Sequence, residues 1–152
     1  MGIGVTFTDT TNLEAELAKM PLALRGKYLS RALKAVAGIV VDEAKRLCPQ
    51  PGYPGDNPEF KPLRDTITSV VREYSNSFSI FIGPSWPAGA HGHLVEFGHR
   101  TASGQTAPHP FLRPAADNTK AKQAAELDAA IKRAVEEMVT GIRKRGANGR
   151  FI

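Results

Sequence analysis

The chain has a single cysteine, Cys48, in 152 residues, so it forms no internal disulfide and offers no cysteine-based zinc site. No apolar run approaches the roughly 20 residues needed to cross a bilayer, which removes a membrane partner from consideration. The first ten residues, MGIGVTFTDT, lack the basic region and hydrophobic run of a secretory signal, and synthesis in a cytoplasm is the expectation. Nucleotide-binding strings of the GxxxxGK[ST] or GxGxxG type are missing, and Ser85 and Ser103 have no nucleophile-elbow context. No repeat occurs at the periods that mark solenoids or propellers.

What remains is material for one core: 41% of residues are hydrophobic and 23% charged, close to ordinary globular usage. The length suits a single domain. Twenty basic residues stand against fifteen acidic ones, a net charge of +5, and the isoelectric point is near 9.6. The excess is C-terminal, since residues 111–152 carry nine basic and five acidic side chains while residues 1–60 carry seven of each. The domain is therefore expected over 1–143, followed by a basic tail over 144–152 that includes Lys144, Arg145 and Arg150. Such a tail could make weak phosphate contacts, or serve as a solvated helix end that complements the helix dipole.

Periodicity predicts an α+β fold. Ile3, Val5 and Phe7 alternate with small residues, the period of a strand over 3–8. Thr11-Asn12-Leu13-Glu14 has capping-box spacing for a short helix through Met20. Leu29, Leu33, Val36, Val40, Ala44 and Leu47 recur at steps of four and three, predicting a long helix over about 22–48 that Pro49 ends. The β-branched run after Leu63 and the FSIFI string predict a hairpin of strands at about 66–74 and 78–83. HLVEF at 93–97 reads as one or two helical turns stopped by Gly98, and residues 99–110 read as a Gly- and Pro-bearing loop. Leu127, Ile131, Val135, Met138 and Ile142 trace the apolar stripe of a C-terminal helix over about 114–143. The small antiparallel sheet is expected to pack against the two long helices.

Candidate chemistry centres on His91, His93, Glu96, His99 and His109. Imidazole and carboxylate ligate zinc, and zinc activates water. His93, Glu96 and His99 nevertheless step by three, with Gly98 interrupting the turn, whereas helical ligands sharing a face stand at i and i+4. Cys48 lies at a helix C-terminus, where the dipole disfavours a thiolate, and reads as a buried or semi-buried thiol. Glu96, between Val95 and Phe97, reads as a partly buried carboxylate paired with Arg113 or Arg100. No catalytic, cofactor or metal residues are assigned.

Two strings, HLVEFGH at 93–99 and PHPFLRPA at 108–115, resemble the Val-Glu-Phe-Gly-Thr and Pro-Phe-Leu/Met-Arg-Pro-Ala signature of minor tail, or tail-completion, proteins of lambda-like long-tailed bacteriophages, the gp ten-like family. Leu47-Cys48-Pro49 and Leu63-Arg64-Asp65-Thr66-Ile67 follow the same family order. His99 stands where the family has Thr, and Pro62 where it has Gly. The signature positions are Leu94, Val95, Glu96, Phe97, Gly98, Pro110, Phe111, Leu112, Arg113 and Pro114.

The resemblance implies a non-enzymatic virion protein without cofactors, made in the host cytoplasm, that completes the tail or joins it to the head. It implies a homo-oligomeric ring, hexameric in the family, contacting tail-tube and neck or portal-side proteins. The physical reading of the signature is a loop held rigidly: Phe97 and Phe111 supply apolar surface on either side, Gly98 an unusual backbone, and Pro110 and Pro114 stiffness. Residues 49–62 and 99–109 are then the expected subunit contacts, through Tyr53, Phe60, His99, Arg100 and His109. A basic nucleic-acid-binding module and a metal-dependent hydrolase are the alternatives. Few aromatics interleave with the C-terminal cations, which counts against single-strand binding.

Overall fold

Leu33, Val36, Val40 and Ala44 form one buried face of helix α1 (Leu22–Leu47) in a computed structural model of the chain. The structure describes residues 3–4, 22–49, 61–74 and 77–144. The capping box at 11–14, the helix expected through Met20 and most of the loop holding Tyr53 and Phe60 lie outside these. Leu29 and Leu47 lie at the margin of the core, half-buried. Cys48 follows the helix as a buried thiol.

One helical turn, α2 (Leu63–Thr66), precedes the sheet, where the sequence suggested direct passage into a strand. Strands β2 (Ile67–Glu73) and β3 (Phe78–Pro84) pair antiparallel with Val70 opposite Phe81. Strand β1, limited to Ile3–Gly4 among the described residues, adds to the other edge of β3, giving the order β1-β3-β2. Alternation places Ile67, Ile80 and Ile82 on the face buried beneath α1, while Val70 and Phe81 lie exposed on the outer face. Arg72 covers part of that outer face, its guanidinium 5.3 Å from the Phe81 ring centre.

After β3 come α3 (Gly92–Phe97), β4 (His99–Thr101) and β5 (Gly104–Thr106). The last two form a second hairpin, with His99 opposite Thr106. The sequence reading of 99–110 as loop is corrected here: Thr101 Oγ1 donates to Gly104 O at 3.0 Å across the Ala102-Ser103 turn, closing a tight reversal.

The final helix, α4 (Leu112–Lys144), starts two residues earlier than predicted and runs along α1. Arg31 in the first half of α1 pairs with Glu137, and Glu43 near its C-terminal end meets Asn118. The two helices are therefore antiparallel. Ala37 and Ala44 of α1 and Ala115 of α4 are fully buried. Thr119 and Gln123 continue the buried face of α4 where the sequence shows no apolar stripe. Their donors find acceptors within the helix, Thr119 Oγ1 donating to Ala115 O at 2.7 Å and Gln123 Nε2 to Thr119 Oγ1 at 2.8 Å. Leu127 and Ile131 then take over as predicted, with Val135 half-buried beside them.

Candidate functional site: a clamp joining two helix ends

The chain leaves β3 through a turn whose first amide, that of Ser85, donates to Thr66 O at 2.9 Å. Trp86 stands at the head of this turn, 83% exposed. Gly92 then opens α3 against Pro84, at a separation where a Cβ would come within 2.5 Å of Pro84 Cγ. Because α3 starts this close, Gly92 and Glu96, four residues apart, share its buried face. Phe97, one residue on, points away and is 63% exposed.

The Glu96 carboxylate meets the start of α4. Its Oε2 accepts from the amides of Phe111 at 2.8 Å and Leu112 at 3.0 Å, and its Oε1 from the amide of Arg113 at 3.2 Å. The first four amides of a helix have no intrahelical acceptor. Glu96 takes three of them, Pro114 has no N–H to satisfy, and the next amide, Ala115, donates to Phe111 O at 3.2 Å as the first bond of the helix. A carboxylate at a helix N-terminus also faces the positive end of the dipole. The expected pairing of Glu96 with the Arg113 or Arg100 side chain is corrected: backbone amides, which present three convergent donors, fill the carboxylate, and both arginines are exposed.

Gly98 makes the approach possible. Its φ of 71° and ψ of 169° belong to a region open essentially to glycine alone. A Cβ there would lie 2.6 Å from Thr106 O. The amide of His109 donates to Val95 O at 2.8 Å, pinning the return strand against α3. Phe111 and Leu112 are buried in the core, Leu94, Val95 and Pro114 are half-buried, and Pro110 is exposed. The expectation that Phe97 and Phe111 together grip the loop thus changes: Phe111 alone anchors it, and Phe97 is presented to the surroundings. Of the proposed contact residues, Arg100 and His109 are exposed, and His99 is half-buried with Nδ1 enclosed and unbonded.

A second cap, which the sequence reading did not find, lies nearby. Arg64 Nε donates to Lys45 O at 2.9 Å, closing the C-terminal end of α1. Glu43 on the last turns of α1 accepts two bonds from Arg46, at 2.8 and 2.7 Å, and one from Asn118 Nδ2 at 3.2 Å. The Arg46 hydrogen bonds, then that of Asn118, lower the Glu43 pKa from 4.5 to about 2. The only sequence signal for Arg64 is its place in the Leu-Arg-x-Thr-Ile string.

Among the described residues, no three His, Cys, Asp or Glu side chains come together to hold a metal ion. His93 Nδ1 bonds instead to Ala90 O at 2.8 Å. No described helix is long and apolar enough to cross a membrane. The Glu96 cap fixes the base of the β4–β5 hairpin to the start of α4, and the Arg64 cap ties α2 to the end of α1.

The family model described as "Bacteriophage HK97-gp10, putative tail-component" matches residues 12–98. The chain belongs to this family of phage tail components, and its role is that of a structural part of the virion. No curated protein and no solved structure matches it.

Proposed function

We propose that the protein acts at the head–tail junction of a long-tailed phage, as a ring of identical subunits that completes the tail or joins it to the filled head. The observation that carries this reading is the Glu96 clamp. Residues 100–105 of the β4–β5 hairpin are all exposed, yet their base is fixed by Gly98, Val95 and the capped start of α4. A projecting element with a rigid base suits repeated docking in one geometry, and a closed ring needs one heterologous contact whose rotation closes.

In this reading His99, Arg100 and His109 meet a neighbouring subunit or a tail-tube or neck protein, as do Tyr53 and Phe60 from the 49–62 loop. The 1–143 domain carries the assembly, and the 144–152 tail makes at most a weak DNA contact. The protein needs no cofactor and turns over no substrate.

The test is a phage lacking the gene, complemented with wild-type protein or with a variant in which Arg100 and Gln105 are both changed to Glu. Unjoined heads and tails without the protein, restored by wild type and not by the variant, are the expected result. Particles that join and infect normally without the polypeptide overturn the proposal.

A further inference from the structure

Trp86 is the chain's single tryptophan and the most exposed of its large apolar side chains among the described residues. Tryptophan is enriched among interface anchors, because the indole buries a large area at small conformational cost. At the far end of the molecule a groove of about 340 Å³ opens between α1 and α4. It is lined by Tyr28, Ala32, Ala35, Ala130 and Ala134, of which Ala32 and Ala134 are buried and Ala35 is exposed, and by the ion pairs Arg31–Glu137 and Arg133–Glu126.

We infer that Trp86 of one copy seats in the α1–α4 groove of a second copy. This rests on the self-association proposed above and adds a further pair of surfaces to the hairpin and loop contacts named there. The groove is small enough to take one bicyclic ring and too small for a helix, and its alanine lining leaves space where larger side chains would fill it. The rim matches an indole chemically: the ring N–H can donate to the Glu126 or Glu137 carboxylate, and a guanidinium can lie over the ring face.

The two surfaces cannot meet within one chain. Trp86 follows Ser85, which is tied to α2 and thereby to Lys45 at the C-terminal end of α1. Ala32 and Ala35 lie 10–13 residues back along that helix, about 15–20 Å away. A knob at one end and a socket at the other make a head-to-tail contact, the kind that closes rings.

The indole also reports on its own docking. The full chain is titrated from low to high concentration, with tryptophan emission and sedimentation measured on the same samples. The expected result is an emission shift to shorter wavelength that tracks the rise in mass. Trp86→Ala, and Ala35→Phe, which fills the groove from an exposed position, should each weaken association about 30-fold or more, with circular dichroism unchanged, as the loss of an anchor residue does. In Ala35→Phe the emission should stay that of a solvated indole.

An assembly that forms with unshifted emission, or survives Trp86→Ala, overturns the Trp86 docking and leaves the ring proposal standing. A shift that appears only when tail-tube protein is added overturns the second copy as occupant. A chain that stays monomeric throughout also overturns the inference, while the complementation test decides the ring separately.

Discussion

Glu96 Oε2 accepts from the Phe111 amide at 2.8 Å, so a side chain from one signature string caps the helix that the other begins. The two strings are one structural unit. Glu96 supplies the acceptor, Gly98 lets the chain turn within reach, Phe111 fixes the helix start in the core, and Pro114 removes the amide that Glu96 cannot serve. Nothing in the unit requires a substrate to account for its residue types.

Replacing Glu96 tests that account. Glu96→Ala leaves three donors at the start of α4 without their acceptor, at a cost of roughly 1–3 kcal/mol for each one that stays buried. A loss of ~3 kcal/mol or more in denaturant unfolding is expected. Glu96→Gln keeps the shape and one carbonyl acceptor, and should lose about half as much. Equal, small effects from both variants would show that the amides find other acceptors.

The long elements were legible in the sequence because their periodicity is strong. Leu33, Val36, Val40 and Ala44 define α1, and alternation through Ile80 and Ile82 defines β3. The buried face of the first half of α4 was not, since it consists of Ala115, Thr119 and Gln123, a set that hydropathy reads as surface. The β4–β5 hairpin was hidden for a related reason: both strands are three residues long and mostly exposed, so no apolar alternation betrays them. At the site, sequence pointed to Glu96 and to its burial but to the wrong partner. Charge invites a search for arginine, and backbone amides leave no mark in a sequence. Arg64 was invisible as a cap because its acceptor, Lys45 O, is likewise backbone.

Arg64→Ala removes a partly buried bond to the end of α1. Hydrogen bonds from charged groups contribute about 1.5–3 kcal/mol, with less expected here because the carbonyl regains water. Thermal unfolding should show a loss of ~1–2 kcal/mol. Arg64→Lys should recover part of it. A neutral Arg64→Ala would remove the cap from the account of the fold.

Acid should act on the α1–α4 contact at Glu43. Its pKa falls from 4.5 to about 2 in the folded chain, so its bonds to Arg46 and Asn118 stabilise the fold fully above pH 4.5. That contribution fades as pH drops from 4.5 through about 2. The Glu43 side chain is 18% exposed, but its main partner Arg46 is 64% exposed to screening water, which keeps the energetic effect small, and the titration itself is the better readout. Carboxyl resonances of Glu43 should titrate near pH 2, with Arg46→Ala moving the midpoint up further than Asn118→Ala. A midpoint near 4.5 in the wild type would mean that the contacts are not held in solution.

Gly98→Ala probes the backbone on which the clamp depends. At φ 71° and ψ 169°, a side chain costs about 1–3 kcal/mol in strain alone. The added Cβ would also press to 2.6 Å from Thr106 O and 2.9 Å from Pro108 N, both backbone atoms. These cannot move aside without shifting the hairpin or the His109–Val95 bond. The expected result is a stability loss of ~2 kcal/mol or more, together with faster amide exchange at His109 and Phe111, whose bonds lie directly downstream. Amide exchange separates this from a general weakening, because α1 should keep its protection relative to the global unfolding limit. Unchanged exchange at His109 and Phe111 would mean that the turn accommodates a side chain, and that glycine there is not what brings Glu96 to the helix.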